Sequence, residues 1–406
     1  MKHLTLTLTL AGLAMIGPFA IDTYLPAFHD IARDYGVSEL MVQQTLSVYL
    51  LAVALMTLVL GPVSDALGRR PVILAGLAVF GVASIGAALA PSFGWLLAFR
   101  ALQGVSAGAG MVVGQAVVRD RLAGAEAHRM MANIMMVFGL APAIAPIIGG
   151  YLTHLGWRSI FVLLALIAAA LWALCWRSLP ESLAPPLRQP LHLASMLNNY
   201  ARVLRHRQFL LGALAPGLGF AGFAIYISAA ANYVIEVLGL SATSFGWLFV
   251  PMIGGTILGS AASGRLTHHF STLAIVRGGA FVMLGGAVFN LAYALIFPAQ
   301  VPWAVLPILV YSFGLALARP GMTVVTLSLF PRMSGLAAAL QNFLQTLIFA
   351  LISGFVVPLL FGSAAKLAAG VVVGVALSVA CWVLAGFGSG PLRAHDEFAG
   401  RGRGGD

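Results

Sequence analysis

Residues 4–28 form one apolar run that carries a single charged side chain, Asp22. A helix needs about 20 predominantly apolar residues to cross a bilayer, and this run is long enough. Five more runs follow, over 41–62, 71–91, 94–118, 130–153 and 158–178. A polar, proline-marked stretch from Pro180 to Gln208 then gives way to six others, over 209–233, 243–264, 273–297, 302–329, 335–360 and 366–388. Such a series predicts an all-α integral membrane protein with twelve transmembrane helices. The charged fraction agrees: it is 8% here, against about 25% in soluble domains.

The termini and cysteines add little to this. Lys2 and the apolar residues up to Ala20 could be a signal peptide, but the run continues through Asp22 to Phe28, which favours a first membrane helix. Cys175 and Cys381 sit in separate runs, so a disulfide has little support. The net charge of +10 comes without a basic run or a stacking platform, which argues against nucleic acid.

Basic residues instead set the orientation. With the N-terminus inside, Lys2, Arg69, Arg70, Arg119, Arg121, Arg129, Arg177, Arg188, Arg202, Arg205, Arg207, Arg265, Arg277, Arg332, Arg393, Arg401 and Arg403 are cytoplasmic, 17 of the 22. Arg33, Arg158 and Lys366 fall outside, while Arg100 and Arg319 lie within spans. Both termini are therefore expected in the cytoplasm.

The predicted organisation is a six-helix bundle over 1–179, a cytoplasmic linker over 180–208, a second six-helix bundle over 209–390 and a disordered tail over 391–406. In the linker, Leu193, Met196, Leu197, Tyr200, Val203 and Leu204 recur at helical spacing opposite Arg202, Arg205 and Arg207. That pattern reads as a basic amphipathic helix on the inner membrane face. A calmodulin-type target is the sharper and less favoured alternative. Gly61–Arg70 has a faint echo in Gly259–Arg265, as internal repeats would produce.

An acid inside a span is expensive and so is a functional candidate. Asp22 is the only one placed there. It lies 18 residues from Leu4, and Arg100 lies 18 from Val118. Both therefore sit about 27 Å from the inner ends of their helices, the same depth.

Three segments carry a resemblance. GPVSDALGRRPV (Gly61–Val72) sets Gly61, Asp65, Gly68, Arg69 and Arg70 between spans two and three, where the acid and the arginine pair can clamp helix ends. RALQGVSAG holds Arg100, Gln103, Gly104 and Gly108 in span four, and APAIAPIIGG holds Pro142, Pro146, Gly149 and Gly150 in span five. Prolines there interrupt the hydrogen-bond ladder and glycines allow close packing.

These segments resemble the signature loop, the fourth-helix motif and the helix-five antiporter motif of the major facilitator superfamily. The match departs at Ala66, where the family usually has a basic residue. IDTYLPAF (Ile21–Phe28) is similar to the first helix of the Bcr/CflA group of bacterial drug-resistance transporters, and Gly156–Phe161 fits the usual entry to span six.

The resemblance implies the major facilitator fold, two bundles around a central cavity, and a drug:proton antiporter of the bacterial inner membrane. It implies Asp22 and Arg100 as the proton-coupling pair and the Gly61–Arg70 segment as a conformational latch. Cargo would be a small lipophilic drug or antibiotic and a proton, in a monomer surrounded by lipid, with no cofactor beyond the proton gradient and no metal. Cavity-lining candidates are Tyr24, Gln115, Asn133, Met136, Tyr226, Asn232, Tyr311, Arg319, Gln341 and Gln345. Each of these polar or soft side chains could equally bridge helices.

Arg319 is open between a substrate contact and a snorkelling or backbone-paired arginine. A proton-coupled importer of a small metabolite or organic anion is the alternative function. GLGFAG (Gly217–Gly222) matches a dinucleotide pattern but has no preceding strand and reads as helix packing. His268 and His269 are adjacent, poor spacing for shared metal ligation, and no catalytic set is evident, so an enzyme is not expected.

Overall fold

Proline and glycine positions decide where the apolar runs bend. A computed structural model describes residues 3–188 and 191–387. The tail over 391–406, with Lys2, Arg393, Arg401 and Arg403, lies outside the described residues.

The elements in order are α1 (His3–Asp22), α2 (Phe28–Tyr35), α3 (Glu39–Leu67), α4 (Arg69–Ala88), α5 (Phe93–Arg121), α6 (Gly124–Leu152), α7 (Arg158–Ser178) and α8 (Leu193–Leu204). They continue with α9 (Arg207–Gly219), α10 (Ala221–Ser228), α11 (Gly246–Leu266), α12 (Thr272–Ile296), α13 (Leu306–Leu327), α14 (Ser334–Leu351), α15 (Val357–Leu360) and α16 (Ala364–Leu384). No strand occurs among the described residues. Eleven helical segments are long and apolar enough to cross a bilayer, and the bent pair α9–α10 brings the count to twelve.

Packing sorts them into two bundles. In the first, α1 lies against α5, α6 and α7, and α4 against α5 and α7; in the second, α13 lies against α11 and α12, and α9 against α13, α14 and α16. Two seams join the bundles, α3 with α14 and α6 with α11. We call the end carrying Arg69, Arg119 and Arg207 the basic face, and the opposite end the far face.

Three boundaries differ from the sequence expectation. The first span breaks at Asp22, turns through Leu25–Ala27 and resumes as α2, running to Tyr35 instead of Phe28. Pro26 has no N–H to return to the Asp22 carbonyl four residues earlier, so the ladder stops there. Thr23 bonds back to the Phe19 carbonyl through its backbone and its hydroxyl, closing the broken end.

The seventh span, expected as one helix, bends by 40° between Gly219 and Ala221. Pro216 and the two glycines beside it weaken the ladder at that point. The 61–68 segment is not a loop, because α3 continues through Pro62 to Leu67 and Gly68 alone makes the turn. Its φ of 102° suits glycine, and a Cβ there would run into Glu181.

The linker helix α8 packs Tyr200 and Val203 on Phe209, Ala213, Ala337 and Leu340 of the second bundle. Its Tyr200 hydroxyl donates to the Leu58 carbonyl of the first, at 2.8 Å. The helix therefore ties the two bundles together at the basic face. Leu197, placed on the apolar face by spacing, is 61% exposed and free to meet lipid.

Candidate functional site

The broken end of α1 gathers several buried polar groups of the first bundle. Asp22 is 2% exposed and its Oδ1 has no hydrogen-bond partner. Arg100, on α5, is completely buried beside the same break. Its guanidinium carbon lies 4.6 Å from the Tyr24 ring centre and 4.5 Å from that of Tyr49, between the two faces. Nη1 donates to the Ala20 carbonyl at 3.0 Å and to Gln103 Oε1 at 2.9 Å, and Gln103 Nε2 donates to Ser84 Oγ at 2.8 Å.

Two cation–π contacts, each worth about 2 kcal/mol when desolvated, thus do what a carboxylate would otherwise do. The equal depth of Asp22 and Arg100 does not make an ion pair: no carboxylate oxygen lies within 4.0 Å of that guanidinium among the described residues. The physical reason is that Arg100 is already held by two rings, a backbone carbonyl and an amide. Tyr49 also donates to the Gly17 carbonyl at 3.3 Å, so the pair of tyrosines grips α1 on both sides of Asp22. Tyr24 itself is held by Thr45 at 2.9 Å.

Gly149 and Gly150 wedge between this break and the second bundle. A Cβ on Gly149 would collide with the Thr23 carbonyl, and one on Gly150 with the Ala242 carbonyl across the seam. Pro142 and Pro146 precede them in α6, which remains one helix through both. The structure therefore puts the end of the helix-five motif in the joint between bundles, one peptide away from Asp22.

The other seam is polar. Residues Ile352–Val356 form a π-turn after α14, a geometry that leaves carbonyls free of the regular ladder. Gln43 Nε2 donates to the Ser353 carbonyl at 2.9 Å, Gln44 Nε2 to the Gly354 carbonyl at 3.1 Å, and Ser47 Oγ to Ser353 Oγ at 3.0 Å. Nearby, His29 pairs with Glu39 at 2.7 Å. Burial and the Glu39 charge push the Glu236 carboxyl of the second bundle above its usual range, with His29 opposing. The Gln43, Gln44 and Ser47 bonds join the two bundles at the far face.

At the basic face, Arg69 bridges Asp65 at 2.6 Å and Asp120 at 3.0 Å, and its Nη1 also donates to Ser64 Oγ. Glu181 accepts from the backbone N–H groups of Arg69 and Arg70, at 2.9 and 3.3 Å, satisfying the start of α4. Arg70 stacks 5.2 Å from the Trp176 ring and donates to its carbonyl at 2.8 Å. Gly61 lies within α3. This cluster fastens α3, α4, α5 and the chain after α7 to each other, all within the first bundle.

The cavity candidates divide into two groups. Tyr226 accepts from Asn290 at 2.5 Å, Tyr311 donates to the Gly219 carbonyl at 2.5 Å, and Asn232 bonds Glu236 and the Gly362 N–H. All three are buried and spend their polar groups on neighbouring helices in this structure. Tyr24 does likewise. Gln115 is half-buried, and Asn133 and Met136 are exposed on the basic-face half of α6. Arg319 donates to Gln345 at 3.0 Å and stacks 5.3 Å from the Phe220 ring, while Gln341 donates to Thr323 at 3.0 Å.

The family model for the Major Facilitator Superfamily matches residues 10–353. The chain belongs to the Major Facilitator Superfamily. Multidrug transporter MdfA of Yersinia pestis (strain Angola) is 32% identical over 335 residues, 82% of this chain and 81% of its own. The bicyclomycin resistance protein homolog of Haemophilus influenzae is 32% identical over 271 residues, 66% of this chain and 68% of its own.

Among solved structures, the human organic anion transporter MFSD10 superposes with a TM-score of 0.71 at 19% identity, over 95% of this chain and 100% of that one. The nucleoside transporter NupG does so at 0.69 and 14%, over 95% and 100%. At these identities the likeness is one of fold. As a Major Facilitator Superfamily member, the chain is a multi-pass membrane transporter of small molecules rather than an enzyme.

Several site residues escape sequence reasoning. Tyr49, Gln43, Gln44, Ser353 and Phe220 look like ordinary members of apolar helices until the partner helix is in place. Asp120 and Glu181 did leave a signal: they are two of only 12 acids and stand among arginines at the basic face.

Proposed function

We propose that the chain is a proton-coupled exporter of small lipophilic drugs that works by alternating access in the bacterial inner membrane, with both termini and the basic face in the cytoplasm. The observation that carries this reading is Asp22, a buried acid whose oxygen has no partner, at a helix break beside the joint between bundles. An unpaired carboxylate in an apolar environment is far more costly than the protonated acid. Arg100, held elsewhere, leaves Asp22 free to load and release a proton. The far-face contacts of Gln43, Gln44 and Gly150 are then those that must part for release to the outside.

Two further considerations support export. The relatives carry the names multidrug transporter and bicyclomycin resistance protein homolog, and the Pro142–Gly150 segment resembles the superfamily's helix-five antiporter motif. Secondary active transport asks for no cofactor beyond the gradient, and one charge moving down 100 mV supplies about 2.3 kcal/mol.

Uphill ethidium transport in everted vesicles tests the reading. Asp22→Asn should insert normally and lose proton-driven accumulation; wild-type rates in that variant would refute the assignment of Asp22.

A further inference from the structure

The second bundle holds a charge without a counter-charge. Arg319 lies 8 residues from the end of α13, Gln345 lies 11 from the start of α14, and Phe220 lies 13 from the start of α9. At about 1.5 Å per residue these put the three side chains about 12 to 20 Å from the basic-face ends of their helices. The hydrocarbon core is about 30 Å thick, so the group is near its middle.

The guanidinium is not snorkelling. Nη2 is fixed on Gln345 and its carbon is over Phe220, the residue at the bend of the seventh span. No carboxylate lies within 4.0 Å of it among the described residues. A guanidinium has five N–H donors, and a single hydrogen bond to Gln345 occupies one.

A second observation points to a ligand at the same place. One turn away on the same two helices, Gln341 is 4% exposed, bonds Thr323 through its nitrogen, and has an Oε1 with no partner. Arg319 and Thr323 on α13 thus face Gln345 and Gln341 on α14 as two rungs, one offering spare donors and the other a spare acceptor. Arg319, Gln345 and Phe220 are half-buried, which keeps the rung with the spare donors accessible.

We propose that these residues form an anion subsite, and that the cargo includes lipophilic organic acids whose carboxylate docks on Arg319. Gln341 Oε1, closed off in this conformation, becomes the acceptor for a hydroxyl or amino hydrogen of the same molecule once α13 and α14 part. This rests on the reading of the chain as a transporter with its cargo site between the bundles, and it adds the chemical class. Arg319 supplies the counter-charge that makes a carboxylate tolerable at that depth.

The test is equilibrium binding to the purified full-length chain in nanodiscs, without a gradient, using 2-naphthoate and its uncharged methyl ester. The wild type should bind the acid about 10- to 100-fold more tightly than the ester, the range for a hydrogen-bonded charge. Arg319→Gln should remove that preference while still binding the ester, and Arg319→Lys should restore part of it. Equal affinity for acid and ester in the wild type, absence of binding by both, or an undiminished preference in Arg319→Gln would overturn the proposal. Asp22→Asn should keep the preference while losing export, so a failed anion site and a failed proton site give different results.

Discussion

Each bundle holds one arginine at membrane depth, and the two are treated differently. Arg100 is enclosed by two tyrosine rings, a backbone carbonyl and Gln103, and is completely buried. Arg319 has one ring and one amide and is half-buried, so its remaining donors can be reached, whereas Nε and Nη2 of Arg100, which also lack partners, are sealed in. The first is a fastening that fixes the shape of the α1 break and leaves Asp22 unpaired. The second is a charge kept available. A buried arginine is therefore informative only together with what already occupies it.

That contrast can be broken by mutation. Arg100→Ala is expected to do the most damage: it leaves the Ala20 carbonyl, Gln103 and a large void, costing about 3–5 kcal/mol in chemical denaturation. Arg100→Lys should not recover it, because a compact ammonium cannot span two ring faces. Arg319→Gln should cost under about 1 kcal/mol in the same assay, since the site is partly open. Comparable losses at both positions would erase the distinction.

Gly150→Val comes next, pressing on the Ala242 carbonyl and penalising the closed far face by about 1–3 kcal/mol. A cysteine placed at Ser47 should then react with a membrane-impermeant maleimide that it otherwise resists. Smaller again, Tyr49→Leu and Tyr24→Leu should each lower stability by about 1–2 kcal/mol, and Tyr49→Phe by less, because the ring face is what holds Arg100. The least effect belongs to Gln44→Leu, about 1 kcal/mol for one hydrogen bond, seen as roughly five-fold faster labelling at the same cysteine.

Much of this was legible in the chain because lipid imposes a simple rule. Apolar runs of spanning length mark the helices, and Asp22 stands out as an acid in the wrong solvent. The Gly68–Arg69–Arg70 corner was also readable, since a positive-φ glycine and an arginine pair serve a turn between helices. What stayed hidden depends on partners distant in sequence. Tyr49 reaches Arg100 from another helix, and nothing local distinguishes it from a core tyrosine. The π-turn at Ile352–Val356 has no sequence signal of its own, yet it supplies the carbonyls that Gln43 and Gln44 grip. The bend at Phe220 follows Pro216 and its glycines, which read as ordinary packing inside one apolar run.

The central claim is that Asp22 exchanges its proton for drug. Adding a transported drug to the purified protein in weakly buffered detergent solution and following pH tests it directly. The wild type should release protons on binding, and Asp22→Asn should bind drug and release none. Proton release of equal size from Asp22→Asn would contradict the account.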